Sequence, residues 1–248
     1  MAEITIPQVI HYCWFGGKPL PRNAEKCIAS WRKYYPDFEI RRWDESNFDV
    51  NIIPFTAEAY SAKKFAYVSD YARLRILYRL GGYYFDTDVE AVKRLPDAIR
   101  EEPFMGIEKS TLPNHRFKVN PGLGFSSRPG SPLLAEIMGH YENMHYLTPA
   151  GINQITIVPI TTAVLEKYGF DGTNRLQDAG DFRIYPYDYF CPIEYPLGKI
   201  EITPNTCTIH HYTESWMSPT DKLRMRLYAW LDTPMGSKFK TVIKSITR

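Results

Sequence analysis

Asp86 and Asp88 are the side chains of this sequence best spaced to do chemistry together. Thr87 alone separates them, and the apolar run Tyr83 to Phe85 precedes them, so they are expected at the end of a short buried strand. In an extended strand, residues two apart share a face. Two carboxylates held side by side raise each other's pKa unless a cation sits between them. A hard divalent ion, Mn2+ or Mg2+, removes that cost and keeps positions open for water and a substrate phosphate. Clamped on a diphosphate, such an ion stabilises the charge that develops when a nucleoside diphosphate leaves.

A bare Asp-Thr-Asp also decorates ordinary strand ends, so its surroundings decide the reading. Upstream, Asp70 and Arg73 lie three apart in a helical pattern and share a face, beside the apolar stripe of Tyr67, Tyr71, Leu74 and Tyr78. That stripe argues against a plain surface ion pair, which would be worth little. Downstream stands His210-His211-Tyr212-Thr213-Glu214-Ser215-Trp216. Imidazole beside carboxylates favours Mn2+ or another transition ion over Mg2+ or Ca2+. Adjacent strand residues point oppositely, so if one of His210 and His211 faces the metal the other turns to the core.

The elements that must position these residues follow from periodicity. Val9 to Phe15 reads as a buried first strand closed by Gly16-Gly17, and Arg22 to Tyr35 as a helix stopped by Pro36. Phe38 to Trp43 reads as a second strand, and residues 56 to 80 as one long helix ended by Gly81-Gly82. Strand, helix, strand opens an α/β fold with parallel strands, in which ligands bind beyond the carboxyl ends of the strands. Residues 97 to 180 mix loop signals, such as Asn120-Pro121-Gly122, with helices expected at Pro132 to Tyr146 and Thr161 to Tyr168. Residues 182 to 212 read as short strands, and Ser218 to Thr247 as mostly helix.

Ser69-Asp70-Tyr71-Ala72-Arg73, then Leu77, then Gly81-Gly82-Tyr83-Tyr84-Phe85-Asp86-Thr87-Asp88 resembles the signature of DxD sugar-binding glycosyltransferases, which include capsular polysaccharide synthesis enzymes and fungal initiating mannosyltransferases (a family 32-like group). The opening Ile6-Pro7-Gln8-Val9-Ile10-His11-Tyr12-Cys13-Trp14-Phe15-Gly16-Gly17 is similar to the start of the same family. The glucosylating domains of large bacterial toxins are a more distant likeness. The resemblance spans roughly residues 4 to 95. It implies a single-domain GT-A (Rossmann-like) α/β fold with a mixed, mostly parallel sheet and a helical C-terminus. It also implies a nucleotide-sugar donor, a divalent metal and retention of anomeric configuration.

Carried over by position, the resemblance makes Asp88 the direct metal ligand, with Asp86 bridging sugar or ribose hydroxyls and the metal. Asp70 and Arg73 would hold the donor sugar, Tyr84 would lie beside the diphosphate, Trp14 would stack on the base, and the backbone around Tyr12 would read the base edge. By the same resemblance His211 would complete the metal site, with His210 facing the core, and Trp216 would close it; Glu214 and Ser215, at positions where the toxin-like branch uses Glu and Ser, are the alternatives to His211. Asn153 and Gln154 are sugar-contact candidates near the anomeric centre, or else helix caps. The reaction this implies moves a hexose or N-acetylhexosamine, from a UDP-sugar first and GDP-mannose next, to a glycan acceptor of a capsule or surface polysaccharide. A toxin-like transfer to protein is an alternative. So is a haloacid-dehalogenase-type phosphatase, which would use Asp86 as nucleophile and need a second acidic cluster, for which Asp178 and Asp181 are the candidates.

Composition bounds these readings. The 248 residues, 44% hydrophobic with 18 Tyr and 13 Phe, suffice for one large core. A net charge of +2 argues against nucleic acid as a partner. Within residues 218 to 248, seven basic residues face only Asp221 and Asp232, so the basic charge belongs to the tail. We therefore divide the chain into a catalytic domain, 1–217, and a basic helical segment, 218–248, that either docks on the domain or contacts an anionic membrane carrying a lipid-linked glycan acceptor. Four dispersed cysteines with no CxxC spacing, no signal-like start and no long apolar run lead us to expect a cytoplasmic protein, peripheral at the inner face of the membrane if the tail binds it.

Overall fold

A computed structural model of the chain describes residues 5–109, 116–194, 199–213 and Thr220. The basic tail and Trp216, Glu214 and Ser215 lie outside the described residues. Strand β1 (Val9–Cys13) leads into α1 (Arg22–Tyr34), which buries Ala24, Cys27, Ile28 and Trp31, and then into β2 (Glu39–Trp43). Two helices follow, α2 (Pro54–Ser61) and α3 (Phe65–Leu80), where periodicity suggests one. The break falls at Lys63, whose left-handed φ of 58° lets Lys64 N–H bond back to Ala59 O at 2.9 Å. Glycine usually supplies that turn, so a lysine there gives no warning.

The chain continues through β3 (Gly82–Tyr84), β4 (Val89–Ala91), α4 (Asp97–Arg100), β5 (Phe104–Glu108), β6 (Lys118–Val119) and β7 (Phe125–Ser127). After α5 (Pro132–Glu142) come a small hairpin of β8 (Leu147–Thr148) and β9 (Gly151–Ile152), then α6 (Ile157–Lys167). Strands β10 (Gln177–Ala179) and β11 (Phe182–Tyr185), the short α7 (Tyr187–Phe190), the β12 (Ile193–Glu194) and β13 (Lys199–Ile200) pair, and β14 (Thr208–His210) complete it.

The main sheet runs β10-β11-β5-β7-β3-β1-β2, with β6 against β5. Strands β2, β1 and β3 are parallel neighbours; β7 is antiparallel to both β3 and β5, and β11 is parallel to β5. Five strands therefore point one way, with β6, β7 and β10 reversed, and this is the mixed, mostly parallel α/β sheet that was expected. Strands β1, β3 and β5 end along the same edge. One face of the sheet packs α1, with Trp31 fully buried against Phe85 and Tyr12. The other packs α3, α5 and α6.

His11 ties β1 to its neighbours. Its Nδ1 accepts from Trp43 Nε1 at 3.0 Å, so Nε2 carries the proton and donates to Gly81 O at 3.2 Å. A second proton would have to face an indole N–H. Burial first, and then Arg41, lower its pKa from 6.5 to about 4. The unfolded chain thus takes the proton first, so the stability this group contributes is complete above pH 6.5 and drains away as pH falls toward 4. We expect urea unfolding to show a loss on the order of 3 kcal/mol across that interval. His11→Gln should flatten this part of the curve; equal pH dependence in both proteins would refute the assignment.

Candidate active site

The two aspartates converge by a turn rather than by strand alternation. Strand β3 ends at Tyr84, and Val89 N–H bonds Asp86 O at 2.9 Å, closing a tight turn through Thr87 and Asp88 before β4 begins. Strand β14 pairs antiparallel with β4 and sets His210 opposite Val89, at the foot of the same turn. His210 Nε2 lies 3.3 Å from Asp88 Oδ1 and 3.9 Å from Asp86 Oδ2. Ligand atoms of Asp86, Asp88 and His210 all fall within 4.8 Å of one another. Two carboxylate oxygens and an imidazole nitrogen form a donor set that fits a divalent cation.

This corrects the expectation for His211. Its main-chain N–H bonds Asp88 O at 3.0 Å, but its ring turns outward to Glu90 Oε2, 2.8 Å away. The alternation of β14 is as expected, with the two histidines exchanged: the register sets His210 opposite buried Val89 and leaves the His211 ring beside Glu90. His210 is held edge-on by Tyr212, ring centroids 4.2 Å apart. Burial pushes its pKa down, but Asp88 and Asp86 more than offset that and hold it above the ordinary histidine value.

Asp88 is fixed from behind: its Oδ2 accepts from Thr213 N–H at 2.8 Å and from Thr213 Oγ1 at 3.0 Å, leaving Oδ1 toward His210. Asp86 is fixed by Arg73 Nη1 at 3.1 Å on Oδ2 and by the Tyr84 hydroxyl at 3.2 Å on Oδ1. Burial raises the Asp86 carboxyl, yet Arg73, His210 and Tyr84 together bring it below the usual carboxylate range. Arg73 also reaches Asp70 Oδ1 at 3.1 Å, while Asp70 Oδ2 accepts from Ile157 N–H, so α3 and α6 meet on one carboxylate. Desolvation pushes Asp70 up to about 6 despite the guanidinium.

These groups open on a cleft of about 1330 Å³ beyond the ends of β1, β3 and β5. Trp14, Asp70, Arg73, Asp86, Asp88 and His210 line it. Trp14 donates from Nε1 to Lys18 O at 2.7 Å, and Gly16 (φ 93°) packs so tightly on Phe65 that a side chain there would strike the ring. Other residues are placed differently from what the sequence suggested. Tyr84 is buried beneath the cleft, its ring 4.9 Å from the Arg73 guanidinium, so it supports the site and does not line it. The Tyr12 side chain packs on Trp31 on the opposite face of the sheet, leaving only its main chain next to the cleft residue Cys13. Asn153 and Gln154 are not among the cleft-lining residues: Asn153 bonds His145 O and Ile155 N–H, Gln154 is exposed, and α6 instead brings Ile157 and Val158 to the wall. Asp178 pairs with exposed Arg183 and Asp181 accepts from Ser131, both outside the cleft lining, so the second acidic cluster of a phosphatase is not assembled there.

Sequence reasoning missed Glu108, Asn120, Gly122 and Thr213. Gly122 stands in a tight turn, Pro121–Leu123, that presses on Asp86: a Cβ there would sit 2.5 Å from Asp86 Oδ2 and 3.1 Å from Arg73 Nη1. Its backbone needs no unusual φ, so Gly122→Ala tests the close approach alone. We expect a modest loss of stability, about 1–3 kcal/mol, and a much larger loss of Mn2+-dependent activity as Asp86 is displaced. Wild-type activity in the alanine variant would show that Asp86 need not hold its observed place.

The family model described as "Glycosyltransferase sugar-binding region containing DXD motif" matches residues 21–105, the segment that carries Asp70, Arg73, Asp86 and Asp88. No curated protein matches the chain. Among solved structures, it is similar to "PaToxG Glycosyltransferase", at 18% identity over 66% of this chain and 70% of that one, TM-score 0.43. It is also similar to a "glycosyltransferase involved in the glycosylation of the major capsid of PBCV-1", at 10% identity over 88% of this chain and 98% of that one, TM-score 0.46.

Proposed function

We propose that the chain, whose residues 21–105 match the model of the DXD-containing glycosyltransferase sugar-binding region, is a metal-dependent, retaining glycosyltransferase acting on a nucleotide-sugar. It transfers a hexose or N-acetylhexosamine, from a UDP-sugar first, to a glycan acceptor of a capsule or surface polysaccharide. The observation that carries this reading is the meeting of Asp86, Asp88 and His210 beside Arg73 at the open end of the sheet. Asp88 Oδ1, an Asp86 carboxylate oxygen and His210 Nε2 would hold the cation, and the imidazole favours Mn2+. Once held, it supplies positive charge where the leaving diphosphate gathers negative charge.

The chain's own residues do the rest. Arg73 keeps Asp86 ionised and oriented, Thr213 fixes the orientation of Asp88, and Asp70 holds Arg73 from the other side. Trp14 and Phe65, both lining the cleft, offer flat apolar surface for a nucleobase. Retention and the surface-glycan acceptor rest on the resemblance of residues 69–88, and the basic segment 218–248 suits a lipid-linked acceptor. Among the described residues, no helix is long and apolar enough to cross a membrane.

The test is to incubate the protein with Mn2+ and a panel of UDP-, GDP- and CMP-sugars and score release of the nucleotide. Release from one donor class, lost on chelation, is the expected result. Phosphate release from a simple phosphomonoester, with no donor cleaved, would restore the phosphatase reading.

A further inference from the structure

One carboxyl group in the cleft has no place in the machinery above. Glu108 ends β5, the next strand beyond β7 to reach this edge of the sheet, and its side chain lines the same cleft as the aspartates. It is not part of the metal-ligating cluster. Its Oε2 accepts from Asn120 Nδ2 at 2.8 Å. Among the described residues its Oε1 has no hydrogen-bond partner and no cation stands at ion-pair distance. The residue is half-buried on the wall of the cleft, so this second oxygen stays open to a ligand that replaces water there.

The group is also rigidly referenced to the metal-side aspartates. Asn120 N–H bonds Gly106 O on β5 at 3.0 Å, and Asn120 Oδ1 accepts from Gly122 N–H at 2.7 Å. Gly122 is the residue whose missing side chain makes room for Asp86 Oδ2. A chain of fixed contacts, Glu108 to Asn120 to Gly122 to Asp86, therefore forms one continuous floor, flat where the glycine lies. A sugar attached to a diphosphate beside Asp86 and Asp88 has two contiguous walls to lie on. Asp70 and Arg73 make one, already satisfied by each other; the Gly122 floor ending in Glu108 makes the other.

We propose that Glu108, oriented by Asn120, binds hydroxyl groups of the transferred sugar through its free carboxyl oxygen. The assignment rests on the nucleotide-sugar reading above. Hydroxyls suit it because they can donate to a carboxylate oxygen, whereas the diphosphate, being an acceptor only and negative, is repelled. Glu108 thus recognises the sugar part of the donor and leaves the nucleotide part untouched.

The experiment is calorimetric titration, with Mn2+ present, of wild type and Glu108→Gln with UDP, GDP and their hexose and N-acetylhexosamine conjugates. Gln keeps the acceptor for Asn120, so the fold and Asn120 stay in place, which a thermal melt verifies. Expected is an unchanged affinity for the bare nucleoside diphosphate and a loss of about 10- to 100-fold for its sugar conjugate, the range of a hydrogen bond to a charged group. Equal losses for both ligands would make Glu108 a structural support and overturn the assignment, as would no loss for either. If wild type binds no nucleoside diphosphate at all, the donor reading itself falls and takes this assignment with it. Binding of bare nucleotide with a sugar conjugate indifferent to Glu108 sinks only the assignment.

Discussion

Asp88→Asn will leave the protein folded and remove nearly all of its metal-dependent donor cleavage. The amide oxygen can still accept from Thr213 N–H and Oγ1, which hold this side chain at 2.8 and 3.0 Å, so the turn between β3 and β4 keeps its shape. What changes is the atom facing His210: an anionic oxygen becomes an NH2 that neither ligates a cation nor carries charge. Losing one preorganised charge-stabilising group at a reacting centre costs on the order of 10²- to 10³-fold in rate. Nucleotide release from the preferred donor in Mn2+ should fall by about that factor, and Mn2+ affinity with it, while the melting temperature stays close to wild type. His210→Ala should follow the same pattern, and His211→Ala should not, since its ring faces Glu90. Were His211→Ala the damaging change and His210→Ala silent, the triad would be wrong.

That reversal of the histidines shows where sequence reading stops. The first third of the chain was legible because apolar periodicity speaks for buried strands and one-sided helices: β1, α1 and β2 fall within a residue or two of expectation. Asp70 with Arg73 was legible for a similar reason, as helical spacing alone puts them on one face. The Asp86 and Asp88 pair was found through a rule that does not apply, since both lie past the end of β3 and meet through a turn held by Val89 N–H. The choice between His210 and His211 depends on the register of β14 against a three-residue strand, a long-range pairing that no local pattern encodes.

Glu108 was missed for a related reason. Phe104–Glu108 is an apolar run ending in an acid, a modest signal, and its importance appears only when the sheet places β5 beside β7 and opposite the aspartates. Asn120-Pro121-Gly122 was read as a loop, which it is. Nothing in the tripeptide says that the glycine is needed for the approach of Asp86 and not for its own φ. Tyr84 was expected beside the diphosphate and Tyr12 to act through its backbone; alternation along β1 and β3 turns both rings into the core.

Arg73 is the residue whose loss should cost most overall, because stability and chemistry depend on it together. It is 4% exposed and spans three elements: Nε bonds Ser69 O within α3, Nη2 meets Asp70 at 3.1 Å and Nη1 meets Asp86 at 3.1 Å, with the Tyr84 ring below. Arg73→Ala leaves two desolvated carboxylates without their cation, and breaking a buried pair from one side costs about 3–5 kcal/mol. Part of that cost can be escaped by protonation. Asp70, already pushed up to about 6, will rise further, and Asp86 will lose the largest influence holding it below the usual range. His11 titrates in both proteins, so the gap between variant and wild type should narrow as pH falls from 7.5 to 5, because the two carboxylates of the variant take up protons at higher pH than those of wild type. Arg73→Lys keeps the charge but not the fork, so it can face only one of the two aspartates. It should retain most of the stability and lose most of the donor cleavage. Urea unfolding at pH 7.5 and 5, paired with Mn2+-dependent nucleotide release, separates these outcomes. Equal stability of the alanine variant and wild type at pH 7.5 would mean that water, not protein, solvates the two carboxylates and that the buried network described here does not exist.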